Sequence, residues 1–83
     1  MTLPELREKI DEIDEQIVAL LEQRMLIVDK IKKIKHEQGL LIEDRNRERE
    51  VKDKKSSVLR PSDIEHIFDV IIHIAKERQQ EGL

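Results

Sequence analysis

A single apolar stripe runs from Leu3 to Ile34, and it is too long for the chain that carries it. Leu3, Leu6, Ile10, Ile13, Ile17, Leu20, Ile27, Ile31 and Ile34 follow one another by threes and fours, with one step missing at residue 24. That spacing is the seam of an α-helix with heptad-like character. Thr2 and Glu5 fit a capping box at its start, Pro4 is tolerated in the first turn, and Gly39 suits its C-terminal stop. The predicted helix spans residues 3–38 and is ~54 Å long. Such a rod cannot fold over itself, and the rest of the chain, roughly 45 residues, can cover only part of it. A second copy of the same rod is the simplest cover.

Composition points the same way. Charged residues make up 42% of the 83-residue chain and Phe68 is its only ring, so a core must be built from Leu, Ile and Val. Such a core is thin for a monomer of this size. The net charge of -3, with acids and bases interspersed, argues against a general nucleic-acid binder. There is no cysteine, which excludes disulfides and thiolate metal sites. No apolar run approaches the ~20 residues of a membrane span. No basic segment precedes an apolar one at the N-terminus. The expectation is a soluble, cytoplasmic protein with a single domain over residues 1–83.

Leu40, Leu41 and Ile42 form a short apolar link. A second, highly charged helix is predicted from about Asp44 to Lys55, with Val51 its main apolar residue. Ser56 and Ser57 begin a loop. Ser62 as N-cap and Glu65 as its capping-box partner mark a third helix just after Pro61. Ile64, Ile67, Phe68, Ile71, Ile72 and Ala75 give that helix one apolar face. The predicted fold is all-α, with three helices, a very long first helix and an intertwined helical homodimer.

Function is carried by polar residues where the pattern asks for apolar ones. Arg24 fills the missing step of the seam. A guanidinium on a buried stripe is costly unless paired, so it belongs to a salt bridge, to the edge of an interface, or to a ligand. Lys35 lies eleven residues on, which returns to nearly the same face ~16 Å away. It is either a solvated surface charge or a second cation converging on an anion.

Arg7 is ~25 Å from Arg24 along one helix, but antiparallel crossing of two copies sets residue 7 opposite residue 24. That register also pairs Leu3 with Val28, Ile10 with Leu21 and Ile13 with Val18, all apolar. Gln79 extends the apolar line of the third helix by one turn, as a fraying end or as an inward donor and acceptor. The run Asp44, Arg45, Asn46, Arg47, Glu48, Arg49 and Glu50 reads as a solvated face, or as a site with Arg47 and Glu48 one turn from the helix start at Asp44. His36 stands alone, and His66 and His73 are too far apart to chelate one metal. No Gly-rich phosphate loop and no Ser/His/Asp constellation is legible.

In this order the residues resemble the AroQ-class chorismate mutases. The stretch L-R-E-K-I-D-E-I-D, then L-L-E-Q-R and K-I-K, is similar to the family's long first helix. D-R-N-R-E-R-E is similar to its second-helix signature, and I-F-D-V-I-I followed by Gln79 to its third. The resemblance covers nearly the whole chain. It implies an intertwined homodimer that converts chorismate to prephenate in the shikimate pathway of aromatic amino-acid biosynthesis, with no cofactor and no metal. It further implies that Arg24 and Arg7 of the other copy bind the substrate carboxylates, and that Lys35 and Gln79 hydrogen-bond the ether oxygen. Arg47 would support carboxylate binding, and Glu48, helped by the backbone at Asp44, would accept from the ring hydroxyl. Arg24, Lys35 and Gln79 are thus the catalytic candidates.

Two departures stand out. Ala75 occupies a position where family members often carry a polar residue that contacts a carboxylate, and the stretch from Val51 to Ile64 looks short and polar. Three other readings remain: an isochorismate-pyruvate lyase of the same fold, a non-catalytic helical dimer or adaptor, and a weak mutase that needs an activating pathway enzyme. Glu48 favours the mutase over the lyase.

Overall fold

The computed structural model describes residues 1–81, which form three α-helices and, among the described residues, no strand. Helix α1 spans Leu3–Gln38, α2 Arg45–Lys52 and α3 Pro61–Gln80. The long first helix predicted from the stripe is present at the predicted bounds. Thr2 caps it, its Oγ1 accepting from the Glu5 N–H at 3.3 Å. At the other end Gly39 turns left-handed, with φ 68°. Its N–H donates to the His36 carbonyl and that of Leu40 to the Lys35 carbonyl, closing a Schellman motif. A Cβ at Gly39 would meet no atom within 4 Å, so the positive φ, not crowding, asks for glycine there.

The second helix starts as expected and stops earlier. Asp44 is its N-cap, its Oδ1 accepting from the Arg47 N–H at 3.0 Å. It ends at Lys52 rather than near Lys55. Beyond it the chain bends around Ser56, whose Oγ accepts from the backbone of Val58 and Leu59.

The start of α3 differs from the expectation. Ser62 is not its N-cap; Arg60 is, and Asp63 rather than Glu65 is the capping acid. The residue before a proline is driven to extended backbone, so Arg60 stays outside and Pro61 becomes the first helical residue. Asp63 accepts from the Arg60 backbone N–H at 3.1 Å and from its guanidinium at 3.0 and 2.9 Å.

Helix α3 packs against both α1 and α2. The core it makes is small: Val28, Val51, Ile64, Ile72 and Ala75 are the buried apolar residues. Ile67, expected on the inner face, is 45% exposed. The molecule extends 54 × 25 × 14 Å, its length matching that of α1 alone. Every residue from Met1 to Leu20 is exposed, so half of α1 projects beyond the rest of the chain. The nine seam residues are all exposed, from Ile31 at 39% to Leu20 at 63%. Among the described residues, no helix is long and apolar enough to cross a membrane.

Candidate active site

The covered half of the molecule forms an open cavity of about 370 Å³ between α1, the link after it, α2 and α3. Each wall brings its own chemistry. From α1 come Arg24 and Lys35, at the margin between the exposed seam and the stripe that faces α3. The Schellman turn sends the chain back so that the Ile42 carbonyl accepts from Lys35 Nζ at 2.7 Å. That bond uses one of three ammonium donors and leaves two for a ligand.

Helix α2 contributes Asp44, Arg47 and Glu48. The carboxylate of Asp44 is engaged as the cap, which fixes the first turn and hence Glu48 one turn on. Arg47 is exposed and pairs with Glu50 at 3.1 Å. Helix α3 contributes Gln79, only 7% exposed, and the methyl of Ala75. The Gln79 amide donates weakly to the Ala75 carbonyl at 3.4 Å, while its Oε1 is buried with no partner.

Thus six of the seven residues singled out in the sequence line one cavity: Arg24, Lys35, Asp44, Arg47, Glu48 and Gln79. Arg7 does not. It lies on the projecting half of α1 and is exposed. The crossing register proposed for it is also narrower than the sequence implies. Val28 is already buried within the chain and Leu21 half-buried, so of the three apolar pairs only Ile13 with Val18 has both members exposed.

The electrostatics of the cavity centre on Arg24. Arg24 is half-buried and, among the described residues, has no carboxylate within ion-pair distance. Burial first, and the nearby Arg47 charge second, lower the proton affinity of its guanidinium from the ordinary value. Two cations facing each other at a cavity cost free energy unless a negative group lies between them.

One lining residue was missed by the sequence reading. Lys76 reaches the cavity from α3 and pairs with Glu48 Oε1 at 3.0 Å. Its place three residues before Gln79 puts both on one helix face, a signal that could have found it. His73 faces Glu77 at 2.7 Å on the outer side of α3 and takes no part in the cavity.

Comparison with known proteins agrees with this fold. A solved structure described as a conserved hypothetical protein from Pyrococcus furiosus superposes with a TM-score of 0.83 at 42% identity, covering 96% of this chain and 97% of that one. A chorismate mutase of Methanocaldococcus jannaschii is 30% identical over 98% of this chain and 87% of its own length. The sequence profile of the family described as chorismate mutase type II matches residues 6–80, nearly the full length of α1 through α3, and the chain belongs to that family.

Proposed function

We propose that the cavity binds chorismate and catalyses its rearrangement to prephenate, an isomerase reaction within one molecule. The observation that carries this reading is the pair Arg24 and Lys35, two cations on a cavity wall with no carboxylate partner among the described residues, beside the buried amide of Gln79. A dicarboxylate supplies the missing negative charge.

The reaction breaks one C–O bond and forms one C–C bond in a single cyclic movement of electrons. No nucleophile is consumed and no proton is transferred. The protein therefore has two tasks: to hold the substrate in its folded reactive shape, and to stabilise the negative charge that grows on the ether oxygen. Arg24 and Arg47 hold carboxylates. Lys35, with two ammonium donors left, and the Gln79 amide, with an unused N–H, donate to the ether oxygen. Glu48 Oε2, buried without a partner, accepts from the ring hydroxyl. That acceptor favours chorismate over a lyase reaction on its isomer.

The remaining carboxylate contact comes from Arg7 of a second copy. The exposed seam supports a homodimer: covering nine half-exposed apolar side chains is worth about 1 kcal/mol each, comparable in sum to what the five-residue core supplies. Two rods crossing antiparallel near residues 13–18 carry each Arg7 toward the other copy's cavity.

The test is the loss of chorismate absorbance on adding purified protein, with Arg24→Ala as control. Turnover to prephenate by the wild type alone supports the assignment. An Arg24→Ala variant that is dimeric and fully active overturns the site.

A further inference from the structure

Lys76 has no part in the chemistry outlined above, yet it stands in the cavity. Its stem leaves α3 next to the buried Ala75, and its ammonium group lies 3.0 Å from Glu48 Oε1 and 3.8 Å from Glu43 Oε1. Glu48 is the less exposed of the two acids, 21% against 53% at the side chain. Its two oxygens are in different states: Oε1 is held by Lys76, and Oε2 is buried with no partner. A buried carboxylate oxygen without a donor costs about 1–3 kcal/mol or more, a cost that a ligand hydroxyl can remove.

The alternative partners of Glu48 are close at hand. Arg24 and Arg47 line the same cavity, and an untethered carboxylate between them would turn to them. Doing so would turn Oε2 away from the ligand hydroxyl.

We propose that Lys76 is a positioning residue: by holding Oε1 it fixes Glu48 with Oε2 toward the ligand, and so sets the site's requirement for a substrate hydroxyl. The inference rests on the mutase reading. It makes Lys76 act through Glu48 and not on the reacting atoms, so its removal falls mainly on binding of hydroxyl-bearing substrate.

The experiment compares wild type, Lys76→Met, Glu48→Gln and the double variant, each on chorismate and on an analogue whose ring hydroxyl is replaced by hydrogen. Lys76→Met is expected to raise KM for chorismate about tenfold with a smaller change in kcat, and to leave the analogue nearly unaffected. Preference for chorismate over the analogue then falls about tenfold. Glu48→Gln should do the same, and the double variant should be no worse than the worse single one, since the two act as a unit. Lys76→Arg keeps the charge and should restore most of the preference.

Equal losses on both compounds, or losses that multiply in the double variant, would show that Lys76 touches the ligand itself or only supports the fold, and would overturn its role. Lys76→Gln, smaller and neutral, gives the same reading if the Met variant does not fold. A wild type that leaves chorismate unchanged overturns the mutase reading and the role of Lys76 with it, an outcome distinct from active wild type with multiplying losses.

Discussion

The two halves of α1 are one continuous helix with opposite duties. From Leu3 to Leu20 every residue is exposed, and the apolar ones repeat with scarcely an interruption. From Leu21 to Gln38 the same helix buries Val28, half-buries Arg24, Asp29, Lys32 and Lys35, and forms one wall of the cavity. The regular half touches nothing in its own chain that buries it. The irregular half carries the two cations proposed to bind substrate. Regularity in a helix buys association, because identical faces can meet by symmetry. Function sits where the regularity breaks, since a cation on an apolar stripe is costly without a purpose.

The largest effect separating the halves is expected at Lys35. Lys35→Ala removes a donor aimed at charge that exists only in the transition state, which should lower kcat by about 10²–10³ with a smaller change in KM. Helix content and dimer mass should not change. A loss confined to KM would mean that Lys35 serves only to hold substrate, and would sharpen the division of labour between it and Arg24.

The next effect probes the projecting half. Ile17→Lys puts a charge on the exposed seam, where Ile17 is 49% exposed in the single chain. If a second copy covers it, the dimer should dissociate at concentrations about 10²–10³ higher than for wild type. Activity should fall with it although the cavity is untouched. Light scattering and a dilution series of activity read both. Arg7→Ala should instead leave the dimer intact and lower turnover. Mixing it with Arg24→Ala chains should then recover roughly a quarter of wild-type activity, because half of the random pairs carry one intact site. No recovery on mixing would break the idea that one half of α1 serves the other copy.

How much of this was legible in the sequence follows the same division. The bounds of α1 were readable because one periodic stripe and two caps agree on them. Arg24, Lys35 and Gln79 were readable as interruptions or extensions of apolar lines. The start of α3 was not, because Ser62 with Glu65 and Arg60 with Asp63 are competing caps, and the restriction that Pro61 places on Arg60 decides between them. Lys76 was hidden because a charged residue near a helix end reads as surface, and the packing of α3 on α2 turns it toward Glu48. The antiparallel register draws one of its three apolar pairs on Val28, which the chain's own core already buries.

The smallest effect concerns what keeps the chemical half assembled. Arg78 reaches from α3 to Asp29 on α1 with a paired contact, Nε at 3.1 Å and Nη2 at 2.6 Å. It adjoins Gln79, so the clamp bears on the turn that carries the amide. The hydrogen bond from Arg78 holds the Asp29 carboxyl below its ordinary proton affinity. A carboxyl with a depressed folded-state pKa contributes stability above its unfolded value, near 3.9, and loses it as pH falls through the folded value. Asp29→Asn should therefore lower Tm slightly at neutral pH, with the gap to wild type closing as pH drops below about 4. The pair is exposed enough that salt should also narrow the gap. The same substitution in the projecting half, Asp11→Asn, should leave Tm unchanged across that range, because Asp11 is exposed and pairs with nothing among the described residues. A Tm gap for Asp29→Asn that is constant down to about pH 2 would mean that packing rather than charge fastens α3 to α1, and that the two halves differ in burial alone.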